Sequence, residues 1–202
     1  MKSSWVVLIT ICVLGAAALG FAFSGLYNVS ARVPHLAPTT LLLEAVRERS
    51  IEHHSGAIEL PAPGDPAAAM TGAVHFDATC RKCHGAPGKP QEEFAEGLYP
   101  KPPSLAESAK ELDRKEIFWI IDNGLKMTGM PAFGVNHQRD EIIALAAFIE
   151  KLPELDAQGY AQFVKQAKAH GGGEGHHHGA PGEEMHSDEP GGHSHETESH
   201  HH

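Results

Sequence analysis

The densest chemistry in this 202-residue sequence lies in five consecutive residues, Cys80-Arg81-Lys82-Cys83-His84. On a helical turn, side chains three apart share a face, so both thiols can reach the two vinyl groups along one edge of a haem. The next residue then places an imidazole beneath the iron, and C-x-x-C-H is the signature of c-type haem attachment. A redox-active C-x-x-C pair does not need His84, and a zinc site needs four convergent ligands, for which there is no second cysteine pair. The remaining thiol, Cys12, sits in an apolar run, and three cysteines make no disulfide framework. A sixth iron ligand must come from well downstream, because a rigid helix cannot wrap from one haem face to the other. Gly129-Met130-Pro131-Ala132-Phe133-Gly134 supplies a thioether in a Gly/Pro-framed loop that cannot continue a helix. His84 and Met130 are therefore the expected axial ligands, with Met127 as the competing thioether.

A second set of donors lies at the other end of the sequence. His170, His176, His177, His178, His186, His193, His195, His200, His201 and His202 are interleaved with carboxylates in a Gly/Ser/Pro-rich stretch. That composition suits Cu(II), Ni(II) or Zn(II) without fixed geometry, or serves only to solubilise. It has no aromatic or branched apolar residue to offset ordering entropy, so residues 170–202 are expected to be disordered. The formal charge of −10 excludes nucleic-acid binding through a bulk positive field. Beyond Lys168 stand seven acids and no base, leaving 19 acids against 16 bases up to and including it.

The elements that must position these groups are helical. Asp65 with Pro66 opens a helix expected over 66–82, Asp113 and Glu116 stand at capping-box spacing before 113–123, and Ile142, Leu145, Ala146, Ile149 and Leu152 recur at helical spacing in 138–151. The second of these helices ends at Gly124. A short amphipathic helix over 156–169 carries Tyr160, Phe163 and Val164 on one side. No alternating strand pattern appears, so the class is all-α. Met1 and Lys2 precede an apolar stretch, Trp5 to Phe23, long enough to span a bilayer. Lys2 on the short side orients the remainder outward. The reading is an uncleaved anchor at 1–23 with the rest in the periplasm, a cleaved signal being the alternative. Residues 24–65 then form a stalk or an arm lying on the domain, with a helix from about Thr39 closed by Pro61, Pro63 and Gly64; residues 66–153 form the compact domain; residues 154–169 form the amphipathic helix; and the tail follows.

With those motifs in order, residues 66–153 resemble a single-haem class I cytochrome c domain related to the cytochrome module of cbb3-type oxidases. The resemblance rests on Gly72 and Phe76 on the first helix, Leu145 and Phe148 on the last, Pro103-Ser104-Leu105 after the attachment turn, and Met130-Pro131. It implies a class I cytochrome c fold around one covalent haem c. It also implies that the Pro103 carbonyl accepts a hydrogen bond from His84, fixing the imidazole. Leu105 and Trp119, with Leu98, Ile117 and Ile120, are pocket candidates, each equally an ordinary core residue.

Two axial ligands leave no site for oxygen or peroxide, and a Met/His pair raises the potential. The expected function is therefore single-electron transfer by a membrane-anchored carrier rather than an enzyme, with a redox protein or membrane oxidoreductase as donor and acceptor. Arg81, Lys82, Lys89 and Lys101 are a candidate docking rim. Two other readings remain, a subunit of a larger oxidoreductase complex and a metal-homeostasis protein using the tail. A haem enzyme or gas sensor would need a distal acid–base pair, and His75 and His137 are read instead as surface or internally satisfied histidines.

Overall fold

The computed structural model describes residues 2–62 and 65–170. Pro63, Gly64 and the tail from residue 171, with His176, His177, His178, His186, His193, His195, His200, His201 and His202, lie outside the described residues, and so does the expectation of disorder there. The described residues form helices and no strand. The first helix, α1 (Lys2–Phe23), contains a 21-residue stretch of mean hydropathy 2.6 with none of it buried. At about 1.5 Å per residue it is long enough to cross a bilayer core.

Helix α2 (Ala37–Ser55) begins two residues before the expected start and stops at Gly56, ahead of the prolines read as its terminator. Ile51 and Ser55 are its buried residues, on the side that packs against α6 (Arg114–Asn123). Two guanidiniums then hold the chain beyond α2: Arg139 donates to the Glu59 carbonyl at 2.8 Å and Arg114 to the Pro61 carbonyl at 3.4 Å. The arm thus lies on the helical domain rather than standing away from it.

The domain is framed by α3 (Pro66–His75) crossing α7 (Arg139–Lys151). Asp65 caps α3 through the Ala67 N–H at 2.9 Å, and Pro66 occupies its first turn. At the crossing, a Cβ on Gly72 would overlap the Ala144 carbonyl, so only glycine permits the approach. One turn on, Phe76 meets Phe148 edge-on at 5.3 Å, and both rings are fully buried. Helix α6 carries the expected capping box, Asp113 and Glu116 each bonding the other's backbone N–H at 2.9 Å. Gln138 and Glu141 do the same for α7.

Two expectations are corrected. The helix read as continuous over 66–82 is interrupted by a π turn at Phe76–Cys80 before α4 (Arg81–His84), an extra residue per turn that re-aims α4 and its side chains. The helix read as a separate amphipathic piece, α8 (Ala157–Ala169), is part of the core, with Tyr160, Val164 and Ala167 buried against α3.

Asp77 explains why α8 stays there. Its carboxylate, 11% exposed, accepts from the Tyr160 hydroxyl at 2.9 Å, from Lys168 at 2.8 Å and from Lys89 at 3.0 Å, with Arg81 at 3.5 Å. Burial pushes this carboxyl up, but the hydrogen bonds from Lys168, Lys89 and Tyr160 outweigh it and hold the pKa at about 2. A carboxylate depressed from 3.8 to about 2 stabilises the fold above pH 4, and that contribution is lost as pH falls towards 2. By linkage it amounts to about 2 kcal/mol. Denaturant unfolding of wild type and Asp77→Asn at pH 7 and pH 2.5 should therefore show a gap of that order that narrows at the lower pH; a gap independent of pH would remove the ionised carboxylate as its source.

Candidate functional site: the Cys80–His84 turn and the Met130 loop

The attachment turn is built by local rules on either side of it. Cys80 closes the π turn and is buried, and Cys83 and His84 come next on α4. Gly85, at φ +69°, ends that helix with its N–H on the Arg81 carbonyl at 2.8 Å. Ala86-Pro87-Gly88-Lys89 then turns the chain back, Ala86 and Lys89 exchanging two backbone bonds of 2.8 Å. Proline followed by glycine at positive φ is the type II arrangement. The returning stretch of chain is tied down by the Glu92 N–H on the Lys82 carbonyl at 2.9 Å.

That return brings Pro102 and Pro103 across the turn. Gln91 donates to the Pro102 carbonyl at 2.7 Å, and His84 Nδ1 lies 2.8 Å from the Pro103 carbonyl oxygen. A carbonyl only accepts, so Nδ1 carries the proton and Nε2 keeps its lone pair. Burial lowers the His84 pKa against the opposing effect of the Pro103 bond, which keeps the ring neutral and able to ligate. The Cys80 thiol is pushed up to about 12 by burial and then by Cys83. A thioether has no such proton, so alkylated sulfur loses nothing by being buried there. A cleft of about 300 Å³ opens beside His84, bounded by Gly85, Pro90, Gln91, Ser104 and Leu105.

The thioether candidate, Met130, lies on the loop after α6. Gly124, at φ +64°, caps α6, and a Cβ there would press on the Pro131–Ala132 peptide at 2.6–2.7 Å, so the loop closes over its own start. Leu125 N–H bonds the Met130 carbonyl at 3.2 Å. Thr128 Oγ1 donates to the Leu125 carbonyl at 2.7 Å and accepts from the Met130 N–H at 3.0 Å. Met130 is partly buried against the core, whereas Met127, at φ +60°, is 71% exposed. Sequence reasoning misses Gln91 and Thr128, and it marks Gly124 only as a helix end. The hydroxyl two residues before Met130 is the one short-range signal, that of a side chain closing a turn.

Leu105 opens α5 (Leu105–Ser108) and packs on the core. Trp119 stacks on the exposed His54 of the arm at 5.7 Å and 7° between planes. His170 caps the end of α8, its Nδ1 on the Gln166 carbonyl at 2.8 Å. The basic rim is corrected in part: Arg81 and Lys89 are paired with Asp77, and Arg81 also with Glu92 at 3.4 Å, while Lys82, Lys89 and Lys101 are exposed. His75 and His137 satisfy each other, Nε2 to Nε2 at 3.0 Å.

Two thiols on one turn, an imidazole with its second nitrogen held by a carbonyl, and a thioether in a fastened loop form the donor set that fits a covalent haem. Residues 67–149 match the family model described as cytochrome c oxidase, cbb3-type, subunit III. No curated protein and no solved structure matches the chain. The match runs from α3 to α7 and so takes in the Cys80–His84 turn, the Pro103 strap and the Met130 loop, and this part of the chain is similar to the cytochrome c module described as subunit III of cbb3-type oxidases.

Proposed function

We propose that the protein is a membrane-anchored electron carrier. Cys80 and Cys83 would hold one haem c by thioether bonds, with His84 Nε2 and Met130 Sδ on the two faces of the iron. The observation that carries this reading is the His84 Nδ1 to Pro103 bond, because it fixes the tautomer and aims Nε2 away from the strap. When bound, the iron supplies a one-electron couple. The chain's part would be to offer His84 and Met130 to the iron, to hold the imidazole neutral, and to pin the thioether through Thr128 and Gly124. With both positions filled, electrons enter and leave without bond making, which is carrier chemistry rather than oxygen chemistry.

The anchor supports a partner in the same membrane. With α1 spanning the inner membrane and Lys2 on the cytoplasmic side, the haem domain faces the periplasm. The likeness to an oxidase subunit favours an oxidoreductase complex of the membrane as donor or acceptor, with this chain as its mobile carrier or its subunit. The His-rich tail would add weak binding of Cu(II), Ni(II) or Zn(II).

Protein matured where c-type haem is assembled should retain its haem through denaturation and acid extraction, and Cys80→Ala with Cys83→Ala should release it; stoichiometric zinc without haem would exclude this reading. Met130→Ala should open the iron to carbon monoxide and lower the midpoint potential, while Met127→Ala should leave the low-spin spectrum unchanged. The reverse pattern would move the ligand to Met127. Full-length protein should stay with membranes through high salt and carbonate, its C-terminal part open to protease from the periplasmic side. A soluble form beginning near Phe23 would identify a cleaved signal instead.

A further inference from the structure

His75 is the last residue of α3, and His137 lies just beyond the turn Phe133–Val135 that leads out of the Met130 loop. Both are partly buried. His137 Nδ1 lies 3.1 Å from the Phe133 carbonyl oxygen, which can only accept. His137 therefore carries its proton on Nδ1 and turns the Nε2 lone pair towards His75, the arrangement in which metal-bound histidines are held. The two Nε2 atoms are 3.0 Å apart, yet the ring centroids are only 4.6 Å apart, with 38° between the planes. Rings meeting head-on across a 3.0 Å N–H···N bond would put their centroids about 5.3 Å apart. Two imidazoles converging on one ion at about 2.05 Å would have centroids about 4.7 Å apart and an N–metal–N angle of about 94°.

We propose that His75 and His137 form a two-imidazole site for a divalent copper or nickel ion. An angle near 90° suits tetragonal Cu(II) or Ni(II), whereas a tetrahedral zinc would separate the nitrogens by about 3.3 Å. Among the described residues no group of three or more His, Cys, Asp and Glu is placed to hold a metal; Glu141 lies close enough to His75 to act on its charge, and water would complete the coordination. Binding requires only that the proton between the two Nε2 atoms leave and His75 take its Nδ1–H tautomer. An ion held there ties the Met130 loop to α3 independently of the tail.

The test is hydrogen–deuterium exchange on the oxidised full-length haem protein, without metal and with Cu(II) in excess over the chain's 16 histidines. Copper should slow amide exchange in residues 133–137 by about tenfold, an effect of native-state binding. His75→Gln and His137→Gln, which retain a hydrogen-bonding amide, should each abolish that slowing while the haem spectrum shows them folded. Zn(II) at the same concentration should slow the segment less than Cu(II). No copper-dependent slowing in the wild type would overturn the site, as would slowing that survives both substitutions, which would place the ion elsewhere. Equal or greater protection by Zn(II) would overturn the tetragonal assignment.

Discussion

The close crossing of α3 and α7 is the constraint on which the site depends. With a hydrogen in place of a side chain at Gly72, backbone meets backbone at Ala144, and Phe76 then reaches Phe148. Any Cβ would push α3 outward, and with it Cys80, whose position is set by the π turn that begins at Phe76. The His84 imidazole is thus placed by packing rather than by its own contacts alone. The same displacement would part Asp77 from Tyr160 and Lys168, so the attachment turn and α8 share a single point of failure.

On that frame the site is made of irregular chain, and hydrogen bonds to carbonyls give it shape. Prolines and glycines cannot be held by helix ladders, so Gln91 and His84 fix Pro102 and Pro103, and Thr128 fixes Met130. Of these, the His84 bond joins a helix to irregular chain, and the other two lie within irregular chain.

How much could be read in advance depends on the range of the interactions. The Cys80–His84 spacing, the Asp113 and Glu116 box and the Pro66 start are complete within five residues, and their partners are fixed by helical geometry alone. The Pro103 strap was readable only by family resemblance, because 19 residues separate donor from acceptor. Tyr160 and Asp77 are 83 residues apart, and nothing in the amphipathic pattern of α8 says which carboxylate its tyrosine will find. The π turn was hidden for another reason, since hydrophobic spacing over five residues does not separate it from an α-helix. Arg81 and Lys89 look like free cations in a sequence, and only the fold shows that a carboxylate has claimed them.

The docked arm changes how this protein would search for a partner. Between the end of α1 at Phe23 and the start of α2 at Ala37 there are 13 residues, and α2 is already fastened to α6. A fully extended linker of that length reaches at most about 45 Å. With α1 in a bilayer, the haem module therefore hovers within roughly one domain diameter of the lipid surface. Its encounters become two-dimensional, governed by lateral diffusion and an effective concentration in the millimolar range. A strongly charged docking face is then unnecessary, which accords with a basic rim half neutralised by its own carboxylates.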